Sequence, residues 1–289
     1  MLGLGISLGL AAPMLAGPAA SKPVLTVTNG QITPFSRDGV HYVEVLWQQS
    51  GGFTLSRNVT WHNRALGAGG ANGGRQSASD YVPGGGGAGG LLMALGAPFA
   101  AGDYTVEIGA GAPANNVNGG GSNGSDSRLI TPSETLVAIG GGRGASAGVG
   151  NTLGQLGGSG GGGRGGAASQ VNGAGEGTAG QGYAGSAGYR VDDLSRASGA
   201  GGGAGSAGGP ASANTGGTGG AGRLLTWIAT PREVCRGGDG MNASASGSSP
   251  NETWGNGAKG AISGIAGKGG DGFMFLVVRA DEVQVKASA

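Results

Sequence analysis

Alternating and continuous apolar stretches in this chain are short, and each reads as a β-strand rather than a helix. Val24-Leu25-Thr26-Val27-Thr28 runs into Asn29-Gly30, a strong turn pair. Val40, Tyr42, Val43, Val45, Leu46 and Trp47 form a β-branched and aromatic run. Gly51-Gly52 separates it from a second run, Phe53 to Leu66, that carries Val59 and Trp61. Leu91 to Leu95 and Tyr104 to Ile108 read as two more strands, with a turn at Ala100-Ala101-Gly102-Asp103 between them. Thr135 to Ile139 gives another, and Leu224 to Ile228 is an apolar interruption in glycine-rich sequence. Phe273-Met274-Phe275-Leu276-Val277-Val278 does not alternate at all, which predicts a strand buried on both faces. Most aromatic residues precede residue 111, so the conventional apolar core is expected there.

Composition changes the picture between these strands. Glycine accounts for 73 of 289 residues, only 11% are charged, and the net charge is +1. Such a composition excludes an ordinary helical or α/β enzyme, and disorder maintained by charge repulsion is excluded with it. Gly84 to Gly90 is nearly all glycine, and Gly140 to Gly222 is a glycine body whose only aromatics are Tyr183 and Tyr189. No Gly-X-Y repeat runs through it, so collagen is excluded. Gly154, Gly157, Gly160, Gly163 and Gly166 share a three-residue phase, as do Gly199, Gly202, Gly205 and Gly208. Three residues per turn is the repeat of an extended polyproline-II-type helix, which makes no internal hydrogen bonds. Without side chains, such helices approach closely and bond one another, offsetting the entropy that glycine loses on ordering. The competing reading is a Gly/Ser linker, but about 80 residues is far longer than connections inside compact domains.

Candidate chemistry is sparse. The lone Cys235 forms no intrachain disulfide, and His41 and His62 are the two histidines. We therefore expect no catalytic residues, no cofactor and no metal site. Gly144 to Gly148 and Gly157 to Gly161 fit Gly-x-Ser-x-Gly, yet neither precedes a helix-forming stretch. Arg164 and Arg236 each open an Arg-Gly-Gly, without the basic cluster that nucleic-acid binding requires. Asn58, Asn123, Asn242 and Asn251 begin glycosylation sequons, a weak signal in an Asn/Ser-rich chain. Residues 1–22 form an apolar arm. Its small-residue end suggests a signal peptide, but no Lys or Arg precedes it. Gly3, Gly5, Gly9, Pro13 and Gly17 also break any helix, so no membrane span is expected and docking on a partner subunit is. Tyr183, Tyr189, Trp254 and the adjacent acids Asp192 and Asp193 are the candidate surface-recognition residues, because aromatics with a polar tip suit sugar faces and interfaces. The competing role for the aromatics is to anchor the glycine layer. For the acids it is local pairing with Arg190 or Arg196, ahead of calcium binding or glycoside chemistry.

The order of these parts carries a resemblance. Phe53-Thr54-Leu55 leads through Val59 to Gly70, then Tyr104-Thr105-Val106-Glu107-Ile108-Gly109-Ala110-Gly111. Ala138-Ile139-Gly140-Gly141-Gly142 follows, and Gly270-Asp271-Gly272-Phe273 to Arg279 closes the pattern. It resembles the glycine-rich domain of tailed-bacteriophage structural proteins, including tail-fibre and adhesin-like components. The charged stretch Arg232 to Arg236 departs from the pattern, and residues 1–50 lie outside it. The resemblance implies an all-β virion part, with β-sandwich-like elements enclosing a glycine-rich layer of polyglycine-II-type helices, often as a trimer. The expected organisation is a docking arm at 1–22, a β-rich attachment segment at 23–50, the glycine-rich domain at 51–280 and a tail at 281–289. The expected partners are further copies of the chain, other virion proteins through residues 1–50, and a host-surface glycan or protein. A tail fibre or tail-tip component is the leading reading. A capsid decoration or head-fibre protein held by its arm is the alternative, and a secreted glycine-rich matrix protein stands outside viruses.

Overall fold

The structure is a computed structural model. It describes residues 21–76, 81–115, 118–119, 121–146, 153–166, 173–190, 196–213, 215–242, 253–262 and 264–288. Most of the arm, residues 1–20, lies outside the described residues. The fold is all-β, as expected. Its strands are β1 (Val24–Thr28), β2 (Gln31–Arg37), β3 (Val40–Trp47), β4 (Gly51–Leu55), β5 (Val59–Gly67), β6 (Arg75–Gln76), β7 (Leu91–Phe99), β8 (Gly102–Glu107), β9 (Ser127–Ile130), β10 (Thr135–Ala138), β11 (Tyr189–Arg190), β12 (Arg196–Ala197), β13 (Arg223–Leu225), β14 (Arg232–Val234), β15 (Ala261–Ile262), β16 (Phe273–Arg279) and β17 (Gln284–Ala287).

Two sheets make a sandwich. One is six-stranded in the order β10-β9-β8-β4-β1-β17, the other five-stranded in the order β2-β3-β16-β5-β7. Leu25, Val27, Phe53, Leu55 and Val106 of the first meet Val45, Trp47, Leu66, Met274 and Leu276 of the second, all buried. Phe53, Phe99 and Tyr104 stack in the middle, with Phe53–Tyr104 and Phe99–Tyr104 centroids 4.5 and 4.6 Å apart. Asn29 has the positive φ (56°) that its turn requires. The turn does not close a hairpin, however. It passes the chain from one sheet to the other, and Trp47 Nε1 donates to Thr28 O at 2.9 Å beneath it.

The central strand β16 is buried on both faces, as its unbroken apolar run predicts. Met274, Leu276 and Val278 point into the sandwich. Phe273, Phe275 and Val277 point the other way, onto Leu225, Ile228, Val234 and Cys235 around the β13–β14 hairpin. That covering segment is tied to the sheet. Arg37 donates to the carbonyls of Thr226 and Ile228, and the Ala229 amide donates to Glu44 Oε2 at 2.7 Å. Burial pushes the Glu44 carboxyl above its usual pKa, against the lowering effects of that amide and of Arg232.

The glycine-rich segments leave the sandwich at one end, where β5 finishes at Gly67 and β7 starts at Leu91. Their amides follow a rule of three. Ala68 donates to Gly90, Ala71 to Gly87 and Gly74 to Gly84, while Gly69 and Asn72 donate to Ser125 and Ser122, and Gly70 donates to Gly270. Each residue in turn faces a different neighbour, and the neighbours recur after three residues. At the centre lie residues 84–90. Gly84, Gly87 and Gly90 donate to Ala145, Gly142 and Ile139. Gly85 and Ala88 donate to Gly199 and Gly202, and Gly86 and Gly89 donate to Ala258 and Gly255. Their carbonyls accept from residues 68–74, from Gly162 and Ser159, and from Gly238, so neighbours surround them on every side. A methyl group at Gly84, Gly85, Gly86 or Gly87 would collide with the carbonyl of Gly162, Gly238, Ala71 or Ser159. The ordered body thus extends well beyond 140–222, and its most crowded part is the short run at 84–90. At the far end, Val82, Met241 and Ile262 form a small buried cluster, and β6–β15 and β11–β12 pair there.

The strands run straight into the glycine segments, with β5 ending at Gly67 and β7 starting at Leu91. Residues 23–50 and 281–289 contribute strands to the same two sheets: β1 pairs with β4 and, in parallel, with β17, and β3 pairs with β16. These pairings join residues far apart in sequence.

Two outcomes follow from the packing. Gly87→Ala should destabilise the chain by about 3 kcal/mol or more, because a rigid backbone cannot yield to the added methyl. Gly39→Ala, at φ 76° but facing open space, should cost only about 1 kcal/mol. Urea unfolding of both variants measures the contrast. His62 is buried with Nδ1 2.6 Å from Ala97 O and Nε2 3.3 Å from an Arg64 nitrogen, so it stands neutral, donating to the carbonyl and accepting from the guanidinium. Burial, then Arg64, lowers its pKa from 6.5 to about 4. The unfolded chain therefore binds the extra proton first. His62's contribution is complete above pH 6.5 and is lost as pH falls toward about 4, with a slope of up to about 1.4 kcal/mol per pH unit. His62→Gln should flatten that slope in the same unfolding series.

Candidate functional site

The five candidate recognition residues do not converge. Tyr189 sits at the far end of the glycine body, half-buried in β11 opposite Ala197 of β12. Asp192 and Asp193 fall in the connection between those two strands and lie outside the described residues. Trp254 is at the sandwich end. It stacks on Phe275 (5.7 Å between centroids), meets Phe273 edge-on at 5.9 Å, and carries the Arg232 guanidinium 4.2 Å above its ring. Its carbonyl accepts from Cys235 N at 3.0 Å, so it clamps glycine segments onto β16. Tyr183 is 50% exposed and belongs to a lateral groove near the sandwich.

That groove, about 590 Å³ in volume, is a concavity with recognition chemistry. Leu91 and Met93 of β7 form one side, with Tyr183, Ala204 and Ala207 from glycine segments opposite, and Glu176 and Arg223 add one charge of each sign. Gln181 fixes its geometry. Its Nε2 donates to Val137 O at 3.0 Å and its Oε1 accepts from Ile139 N at 2.8 Å, while its backbone carbonyl takes the Leu91 amide at 3.0 Å. Thr178 adds a bond from Oγ1 to Gly157 O at 2.9 Å. The turn at 178–181 is therefore bolted to β10, to β7 and to the glycine body together. An apolar surface with a phenol, a carboxylate and a guanidinium suits an extended apolar segment or a sugar ring.

Sequence reasoning identified Tyr183 but missed Met93, Gln181, Glu176 and Arg223. The available signal was the run Leu91-Leu92-Met93-Ala94-Leu95. A strand apolar at every position has to cover both its faces, yet Met93 and Leu95 are 39% and 58% exposed.

Other chemistry-bearing groups are committed to structure. Ser159, from one Gly-x-Ser-x-Gly match, is buried between glycine segments with its amide bonded to Ala88 O. Ser146, from the other, is buried too, and among the described residues no helix follows either. The Cys235 thiol is fully buried and its pKa is pushed far up by that burial. Burial likewise lowers the pKa of Arg164, whose guanidinium lies 4.5 Å over the Tyr81 ring. Among the described residues no three His, Cys, Asp or Glu side chains gather where a metal would bind, and no helix is long and apolar enough to cross a membrane.

Residues 48–279 match the sequence model of a family described as glycine-rich domain. The chain belongs to that family. Comparison with curated proteins gives no match. The matched glycine-rich domain starts just beyond β3 and stops at the last residue of β16, so β1, β2, β3 and β17 add strands to sheets that the domain itself begins.

Trp254 and Tyr183 should separate cleanly on substitution. Trp254→Ala removes a ring packed on two phenylalanines and an arginine, and should cost about 3 kcal/mol. Tyr183→Ala should cost under about 0.5 kcal/mol, as for other exposed sites. Thermal unfolding of the two variants measures both.

Proposed function

We propose that this glycine-rich domain protein is a non-enzymatic structural component of a tailed-bacteriophage virion, placed at a tail fibre or tail tip, where it contributes to host attachment. The carrying observation is its two-ended construction. At one end is the sandwich, where the chain enters: Arg57 donates to Ser21 Oγ and Lys22 Nζ donates to Ala280 O at 3.1 Å. At the other end the short pairs β6–β15 and β11–β12 and the bridges Val82–Gly165 and Asn115–Ala266 close the glycine body. Tyr189, which breaks the glycine pattern, falls at this second end. A three-residue repeat of intersegment hydrogen bonds favours reading the body as a bundle of polyglycine-II-type helices. Such a bundle is a stiff spacer about 20 Å long for a seven-residue helix at the usual rise. In this reading residues 1–22 dock on neighbouring virion proteins, copies of the chain associate, and the far connections contact a surface glycan or protein of the host.

The test is to replace the connection between Tyr189 and Arg196 with a Gly/Ser stretch of equal length. Binding of the purified protein to host cells should fall at least tenfold or so, with thermal unfolding unchanged, since segments that connect strands tolerate exchange. Gold-labelled antibody on intact particles should mark the tail tip. Label spread over the capsid shell would replace attachment with the decoration role, and unchanged cell binding would remove the far connections from it.

A further inference from the structure

β7 is an edge strand of the five-stranded sheet, and among the described residues no strand pairs with its outer side. The direction of its free groups follows from two bonds. The Leu91 amide points away from β5, to Gln181 O, and the Gly96 amide points inward, to Asn63 Oδ1 at 2.8 Å. Alternation along the regular ladder from Leu91 to Ala94 turns the backbone N–H and C=O of Met93 outward, and Leu95 is the next residue in that phase, at the start of the bulge opposite Asn63. The side chains of these two residues also lie bare, and the groove continues their apolar surface through Tyr183. Leu224, beside groove-lining Arg223, is 62% exposed. Natural edge strands are normally guarded by charge, bulges or cover. From Leu91 to Phe99 no charged residue occurs, and the open stretch ends at a bulge at Leu95-Gly96, where Gly96 has φ 61°, followed by Pro98.

We infer that the β7 edge is an interface with a second copy of this chain, formed by antiparallel pairing of β7 with β7 about a two-fold axis beside Ala94. Met93 of one copy exchanges backbone hydrogen bonds with Leu95 of the other, the axis repeats the exchange, and the two five-stranded sheets become one. Charge argues for a second copy as the occupant. A patch that binds itself about a two-fold must carry its own counter-charges. The groove holds Glu176 and Arg223, each exposed and neither in an ion pair with another described residue. A net charge of +1 leaves little repulsion between copies. The inference specifies the self-association in the proposed function, and replaces the threefold arrangement expected from the resemblance with a two-fold pair.

Light scattering and sedimentation of the full chain test it. The expected species is two chains. Met93→Lys with Leu95→Lys should yield single chains that still unfold in one cooperative thermal transition, since both side chains are exposed in the single chain. Glu176→Arg should weaken association about tenfold, and Glu176→Arg combined with Arg223→Glu should restore it. Ala94→Cys should give a covalent two-chain product on oxidation, because the native cysteine is buried. Single chains at every concentration would overturn the interface together with self-association. A trimer, or a pair indifferent to the β7 substitutions, would overturn the interface alone.

Discussion

Backbone must touch backbone in this molecule, and the rest of its construction answers to that requirement. A carbonyl of one segment lies where the Cβ of another would be, so glycine density reports how many neighbours a segment has. Residues 84–90, ringed on all sides, admit only the side chain of Ala88. That residue lies one three-residue step before Leu91, in the row that opens onto the apolar cluster around Phe273. On the flank the demand relaxes to one row. Gly182, Gly185 and Gly188 meet the carbonyls of Gly158, Gly161 and Arg164, while Tyr183, in the next row, projects into the groove. The sequence Gly-Tyr-Ala-Gly-Ser-Ala-Gly is thus a statement about one neighbour, and Gly-Gly-Gly-Gly about several.

The sandwich supplies what such a body lacks. Backbone hydrogen bonds are worth little net, while ordering glycine is costly. A side-chain core at one end fixes the starting positions of several glycine segments at once. Gly67 shows how the two systems join, since the Phe273 ring occupies the place its side chain would take. Phe273 then meets Trp254, which belongs to the glycine segments. A single aromatic contact therefore spans strand and glycine body.

Much of the sandwich could be read from the chain. Strands at Val24, Val40, Leu91, Tyr104, Thr135 and Phe273 were marked by β-branched or aromatic runs. β2 was hidden by Pro34, which an edge strand tolerates, and β17 by its dependence on a parallel pairing with β1 across the whole sequence. The three-residue phase at Gly154 to Gly166 was legible because it is local: Ser159, Gly162 and Gly165 donate in turn to Ala88, Gly85 and Val82. Which segments neighbour which was not, since one glycine carries no mark of its partner. Trp254 and Tyr189 looked alike for the same reason, both being aromatics between glycine runs. What separates them is Phe275 beneath one and a far-end strand pair beneath the other.

Burying peptide groups against peptide groups has a thermal consequence. Hydration of apolar surface raises the heat capacity of an unfolded chain, whereas hydration of polar surface lowers it. The sandwich conceals hydrocarbon, but residues 84–90 and their neighbours conceal mainly amides and carbonyls. The two halves of the molecule therefore respond to temperature in opposite senses, and the chain as a whole takes up less heat capacity on unfolding than its length would suggest. Its stability curve is correspondingly broad, weakening slowly in the cold, where a protein held by hydrocarbon alone loses its hold first.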